Sequence, residues 1–163
     1  MTPEAISDNV AALVRAKHIA PEGAVMGFAQ HNEAVDDNIG PVIVCTCGMT
    51  DHGLPEIIVT GKSEGNMCMI VAELAADICR GKIRLHDGMI LDDYSTVRMR
   101  VHKLSQHQAR TPGAVCTEFY KLQNKWPEYF QLAIADPQNK LPGEPGYDSQ
   151  YMYEYGQREY WNK

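Results

Sequence analysis

The most constraining feature of the chain is a pair of short apolar runs, Val42-Ile43-Val44-Cys45-Thr46-Cys47 and Ile57-Ile58-Val59. Both are β-branched and apolar at successive positions rather than at alternate ones. A strand of that kind needs cover on both faces. Gly48 to Leu54, rich in Gly and Asp, separates the two runs. They read as a hairpin with a long loop, an arrangement that places polar groups at a sheet end.

Helices supply the cover. Thr2-Pro3-Glu4 opens one, with a capping hydroxyl, a proline at the first helical position and an acid in the first turn. Ile6, Val10, Leu13, Val14 and Lys17 continue it, Lys17 and His18 are its last-turn cations, and Pro21 and Gly23 stop it. Ala24 to Ala29 reads as a short strand with Gly27 inside, and Gln30 to Gly40, carrying Glu33, Asp36 and Asp37, as an exposed loop. Ser63 caps a second helix whose core stripe is Met67, Ile70, Val71, Leu74, Ala75 and Ile78, closed by Arg80-Gly81. His86-Asp87-Gly88 is a turn. Thr96 to Leu104 alternates, with Val97, Met99 and Val101 on one face and Arg98, Arg100 and His102 on the other. Thr111-Pro112 opens a third helix, in which Val115, Phe119 and Leu122 share a face, and Tyr129 to Ala135 is the last strand. Pro137, Pro142 and Pro145 keep Asp136 to Asp148 irregular. This order predicts an α+β fold: a mixed, largely antiparallel sheet of about five strands with three helices packed on it. Residues 1–148 form the single domain and 149–163 an aromatic-rich tail.

Composition removes several classes of function. A length of 163 residues supports one core. The 15 Lys and Arg against 21 Asp and Glu leave a net charge of −6, which disfavours binding of duplex nucleic acid. No apolar run reaches the roughly 20 residues of a membrane span. Five cysteines, an odd number, with no secretory leader point to free thiols and a cytoplasmic location. Cys68 and Cys79, inside the second helix, read as buried, inert thiols. A P-loop, a dinucleotide-binding glycine fingerprint, a serine nucleophile elbow and a zinc-protease helix are all missing, and no cofactor is expected.

Four groups of residues carry candidate chemistry. Glu56 stands between Pro55 and an apolar triplet, so its carboxylate must find partners at the strand mouth. It reads either as a general acid/base or ligand-anchoring carboxylate with His52 as proton partner, or as a structural acid tying down loops through backbone N–H groups or an arginine. Cys45 and Cys47 point to one face with His52 near in sequence, but a structural zinc site needs a second ligand pair, so packing thiols are favoured and no metal is expected. Arg98, Arg100 and His102 at alternate positions can grip a phosphate or carboxylate, or balance nearby acids on a solvated face. Tyr147, Tyr151, Tyr153, Tyr155 and Trp161 are too numerous for a plain tail and suit an interface or a stacking surface.

The stretches Thr46-Cys47-Gly48-Met49 and Pro55-Glu56-Ile57-Ile58-Val59-Thr60-Gly61, then Gly81 and Gly88, and then Gln131-Leu132 followed by Asp136, Pro142 and Pro145-Gly146-Tyr147, resemble the domain of unknown function 4262 family of bacterial and phage proteins. The resemblance runs from about Ala24 to Asp148. Leu54 stands where the family has His, Asn139 where it has Gly, and Gly143 where it has Trp. The resemblance implies a shared fold and a shared locus, and a setting in phage–host conflict such as sequestration of a host signal, but no reaction. The residues lead to three expectations. The first is a small binding protein, expected to be a homodimer, in which the 48–56 turn, Arg98, Arg100, His102 and the loop holding Asp136 and Tyr147 enclose an anionic or nucleotide-like ligand. The second is a hydrolase or transferase using Glu56 and His52, and the third a protein–protein inhibitor or adaptor acting through the tail.

Overall fold

The computed structural model describes residues 2–31, 42–61, 64–95 and 97–148. The Ser63 cap, the strand start at Thr96, most of the acidic loop and the aromatic tail lie outside these residues. Helix α1 (Pro3–Ile19) begins as its sequence requires: Thr2 Oγ1 accepts a hydrogen bond from the Ala5 N–H at 3.1 Å, and Pro3 sits where no N–H is needed. Strands β1 (Met26–His31), β2 (Val42–Cys47) and β3 (Glu56–Gly61) follow, then α2 (Glu64–Cys79), β4 (Ile90–Leu91), β5 (Met99–Leu104), α3 (Gln106–Ala109), α4 (Ala114–Lys121) and β6 (Tyr129–Ile134).

The fold is α+β, built on one six-stranded sheet in the order β1-β2-β3-β6-β5-β4. Every neighbouring pair is antiparallel except the central β3 and β6, which run parallel. The strand beyond the expected five is β4, two residues long and too short to show a period. Helix α3 is a single turn held by a capping box between Ser105 and Gln108.

Alternation along β2 and β3 explains their unbroken apolar sequences. Val42, Val44, Ile57 and Val59 face α2, against Met67, Val71 and Leu74. Ile43, Cys45, Cys47 and Ile58 face the other way, against Leu13 of α1 and Val115, Cys116, Phe119 and Tyr120 of α4. Each strand feeds two cores, so no position on it can be polar without a buried partner. Two expectations fail on burial. Leu122, placed on the core face of the third helix, follows the last turn of α4 and is 71% exposed. Cys79 is exposed and Cys68 half-buried, because both lie toward an open part of the α2 face.

Candidate functional site

Glu56 opens β3 and is fully buried. Its N–H donates to the Glu128 carbonyl at 2.8 Å, which starts the parallel pairing with β6. Its carboxylate collects donors from the loop before it. Oε1 accepts from Thr46 Oγ1 at 2.8 Å and from the Met49 N–H at 3.1 Å. Oε2 accepts from the Thr50 N–H at 2.8 Å, from the Thr50 hydroxyl and, more weakly, from the Gly48 N–H at 3.4 Å. The N–H groups at the start of the 3-10 turn Met49–His52 thus form an anion-binding nest around an internal carboxylate. Burial pushes the carboxyl above its usual range, and the Thr50, Thr46 and Met49 donors work against that. The geometry is that of a loop anchor, the structural alternative read for this residue.

His52 ends the same turn, and its Nε2 lies 2.7 Å from the Gly23 carbonyl. A carbonyl only accepts, so Nε2 carries a proton in this contact. Among the described residues His52 and Glu56 share no hydrogen bond. Asp51 beside it pairs with Lys17 at 3.2 Å and Lys125 at 3.3 Å, tying the turn to α1 and to the segment after α4. Partial burial works to raise the Asp51 carboxyl, but the two ammonium groups hold it below the usual range.

The other predicted ligand residues gather elsewhere. In the register of the central strands Glu56 sits opposite Tyr129, which sits opposite Leu104, whereas Arg98 accepts at its carbonyl from Ala135 beyond the far end of β6. Six residues of extended chain, roughly 20 Å, separate the two ends of β5. The expected convergence of three segments beside Glu56 is therefore half right. The β5 cations and the 136–148 loop do meet, but the 48–56 turn is at the opposite end of the sheet. Arg98 is engaged by Asp92 at 2.8 Å and by both Glu144 oxygens at 2.8 Å, and Arg100 donates to the Pro142 carbonyl at 2.7 Å. Asp136, almost fully buried, accepts from the N–H groups of Gln138, Lys140 and Asp148 at 2.9–3.0 Å. Desolvation opposes them, but these three donors hold its carboxyl below the usual range. Tyr147 closes the loop through its N–H to the Glu144 carbonyl, and His102, half-buried, lies opposite Gln131 in mid-strand. These residues build and fasten a loop.

Cys45, Cys47 and Cys116 form a buried cluster close enough for their thiols to influence one another, and the Cys45 thiol donates to the Thr46 carbonyl at 3.2 Å. Desolvation raises Cys45 and Cys116, and the contact with Cys116 together with burial raises Cys47, so all three stay protonated. Among the described residues no group of three His, Cys, Asp or Glu is arranged to hold a metal ion.

An open cavity of about 520 Å³ lies between α2 and the β1–β2 face. Its floor is Gly27, where an added Cβ would meet nothing within 4 Å. Ala72, Ala75 and Ala76 of α2 form its wall, the Cys68 and Cys79 thiols lie along it, and His52 is its most polar lining residue. The sequence places Gly27 inside a strand, where glycine is disfavoured. A lone glycine in a strand, facing an alanine cluster one turn wide on a helix, is the signal that was there to be read.

No curated protein matches the chain, and neither does any solved structure. The family model described as Domain of unknown function (DUF4262) matches residues 18–148. That span runs from the end of α1 to the close of the 136–148 loop and takes in the whole sheet together with the Glu56 anchor. The chain therefore belongs to the DUF4262 family.

Proposed function

We propose that this chain is a binding protein whose ligand occupies the cavity over Gly27. The carrying observation is the space itself. The core under α2 is otherwise filled mainly by Val, Ile, Leu and Met, but here one glycine and three alanines line about 520 Å³ of space open to solvent. Interiors are normally packed to crystal density, and cavities of this size with apolar walls and few polar groups are the usual form of small-molecule sites. The walls suit a compact, largely apolar molecule. The His52 imidazole on its lining suits a ligand that carries one polar group. An anionic ligand held by Arg98 and Arg100 is less favoured, because both guanidinium groups are engaged in fastening the 136–148 loop. No observation favours proton transfer between Glu56 and His52.

Gly27→Leu tests the reading. Its φ is negative and its surroundings are empty, so the side chain enters the cavity without backbone strain. A thermal-shift panel of small apolar alcohols, phenols and amines is applied to the wild type and the variant. A ligand at 100 times its dissociation constant stabilises by about 2.7 kcal/mol, a rise of roughly 5–10 °C for a chain of this size. The expected result is a hit on the wild type that vanishes in Gly27→Leu. A hit that shifts both proteins equally refutes the cavity as the site.

A further inference from the structure

We propose that a second groove, bounded by α3, α4 and the segment leading into β6, binds a planar aromatic anion: a ring system carrying a carboxylate or a phosphate. The groove has a volume of about 630 Å³ and is separate from the cavity over Gly27, with which it shares no lining residue. Trp126, on its rim, is 62% exposed, a large apolar ring that contributes little to either core. The Lys121 ammonium stands 6.0 Å from the centre of that ring and pairs with Glu118 at 2.7 Å. Lys103 and Arg110 also line the groove, are exposed, and have no acidic partner among the described residues. Glu118 and Glu128 are the acids there, so cations outnumber anions three to two within the groove, while the chain as a whole carries −6. The second groove acid, Glu128, holds β3 through its backbone carbonyl. An aromatic face beside two uncommitted cations recognises a ring through stacking and its charge through paired hydrogen bonds. Both features are needed: the lysine and arginine alone would be ordinary solvated charges.

Calorimetric titration of the full chain decides it. The probes are adenosine monophosphate and 2-naphthoate, which share the ring-plus-anion chemistry and distinguish phosphate from carboxylate. Adenosine and inorganic phosphate are the controls. The expected result is saturable binding of at least one probe, weakened about tenfold or more in Lys103→Ala, in Arg110→Ala and in Trp126→Ala. Binding weakens with added salt. All three positions are at the surface, and their melting curves check that the variants fold. The same probe binds Gly27→Leu as tightly as it binds the wild type. The proposal is overturned if neither probe saturates up to about 1 mM. It is equally overturned if a control binds as well as the probe, if the three alanine variants retain full affinity, or if binding disappears in Gly27→Leu. The last outcome assigns the ligand to the other cavity, so failure here and failure of the cavity reading are told apart.

Discussion

Replacing Glu56 by Gln isolates what the buried carboxylate does. The amide keeps the shape but turns one acceptor into a donor. If its NH2 takes the place of Oε2, it faces the N–H groups of Thr50 and Gly48. If it takes the place of Oε1, it faces the Thr46 hydroxyl, which can turn, and the Met49 N–H, which cannot. The second placement is the less costly. It orphans one buried backbone donor, at about 1–3 kcal/mol of a total stability of roughly 5–15 kcal/mol. The melting temperature should fall by roughly 4–8 °C for a loss near 2 kcal/mol, read by circular dichroism at neutral pH. pH adds a signed test. The folded carboxyl is raised above its unfolded value of about 4.3. Its contribution is therefore fully present below that value and is lost as pH rises through the folded pKa. The gap between wild type and Glu56→Gln should be wider near pH 4 than near pH 8. An unchanged melting temperature would refute the anchor, and a gap that widens with pH would show that the loop donors outweigh burial.

Two further outcomes are expected. Gly48→Ala should destabilise by about 3 kcal/mol or more, seen in chemical denaturation: Gly48 has φ +132°, and a Cβ there would meet the Ala24 carbonyl oxygen at 2.7 Å and Val25 Cα at 2.8 Å, both backbone atoms that cannot yield. Alkylation of the native protein, followed by mass spectrometry, should label Cys79 first and Cys68 more slowly, and reach Cys45, Cys47 and Cys116 only after denaturation; early labelling of that buried cluster would refute its burial.

What the sequence determined is local or compositional. Thr2-Pro3 dictates the start of α1 because a cap needs only four neighbouring residues. The unbroken runs of β2 and β3 call for cover on both faces; that α2 supplies it on one side and α1 with α4 on the other is seen only in the fold. The burial of Glu56 was legible too, because an acid followed at once by Ile57-Ile58-Val59 has nowhere else to go. Its donors are legible only in part: backbone N–H groups carry no sequence signature, and nothing local marks the Thr46 and Thr50 hydroxyls as its partners.

Tertiary structure decided which segments meet. The parallel pairing of β3 with β6 puts Glu56 at the Leu104 end of β5, and the arginines with the 136–148 loop at the other end. Nothing in either segment specifies which ends meet, because β3 is apolar on both faces and reaches β5 only through β6, so closure of the whole sheet selects the arrangement. The cavity over Gly27 arises in the same way. A glycine in a strand and three alanines on a helix are each unremarkable alone, and become a space only when α2 docks across β1 and β2, because a void belongs to the surfaces that surround it and to neither segment by itself.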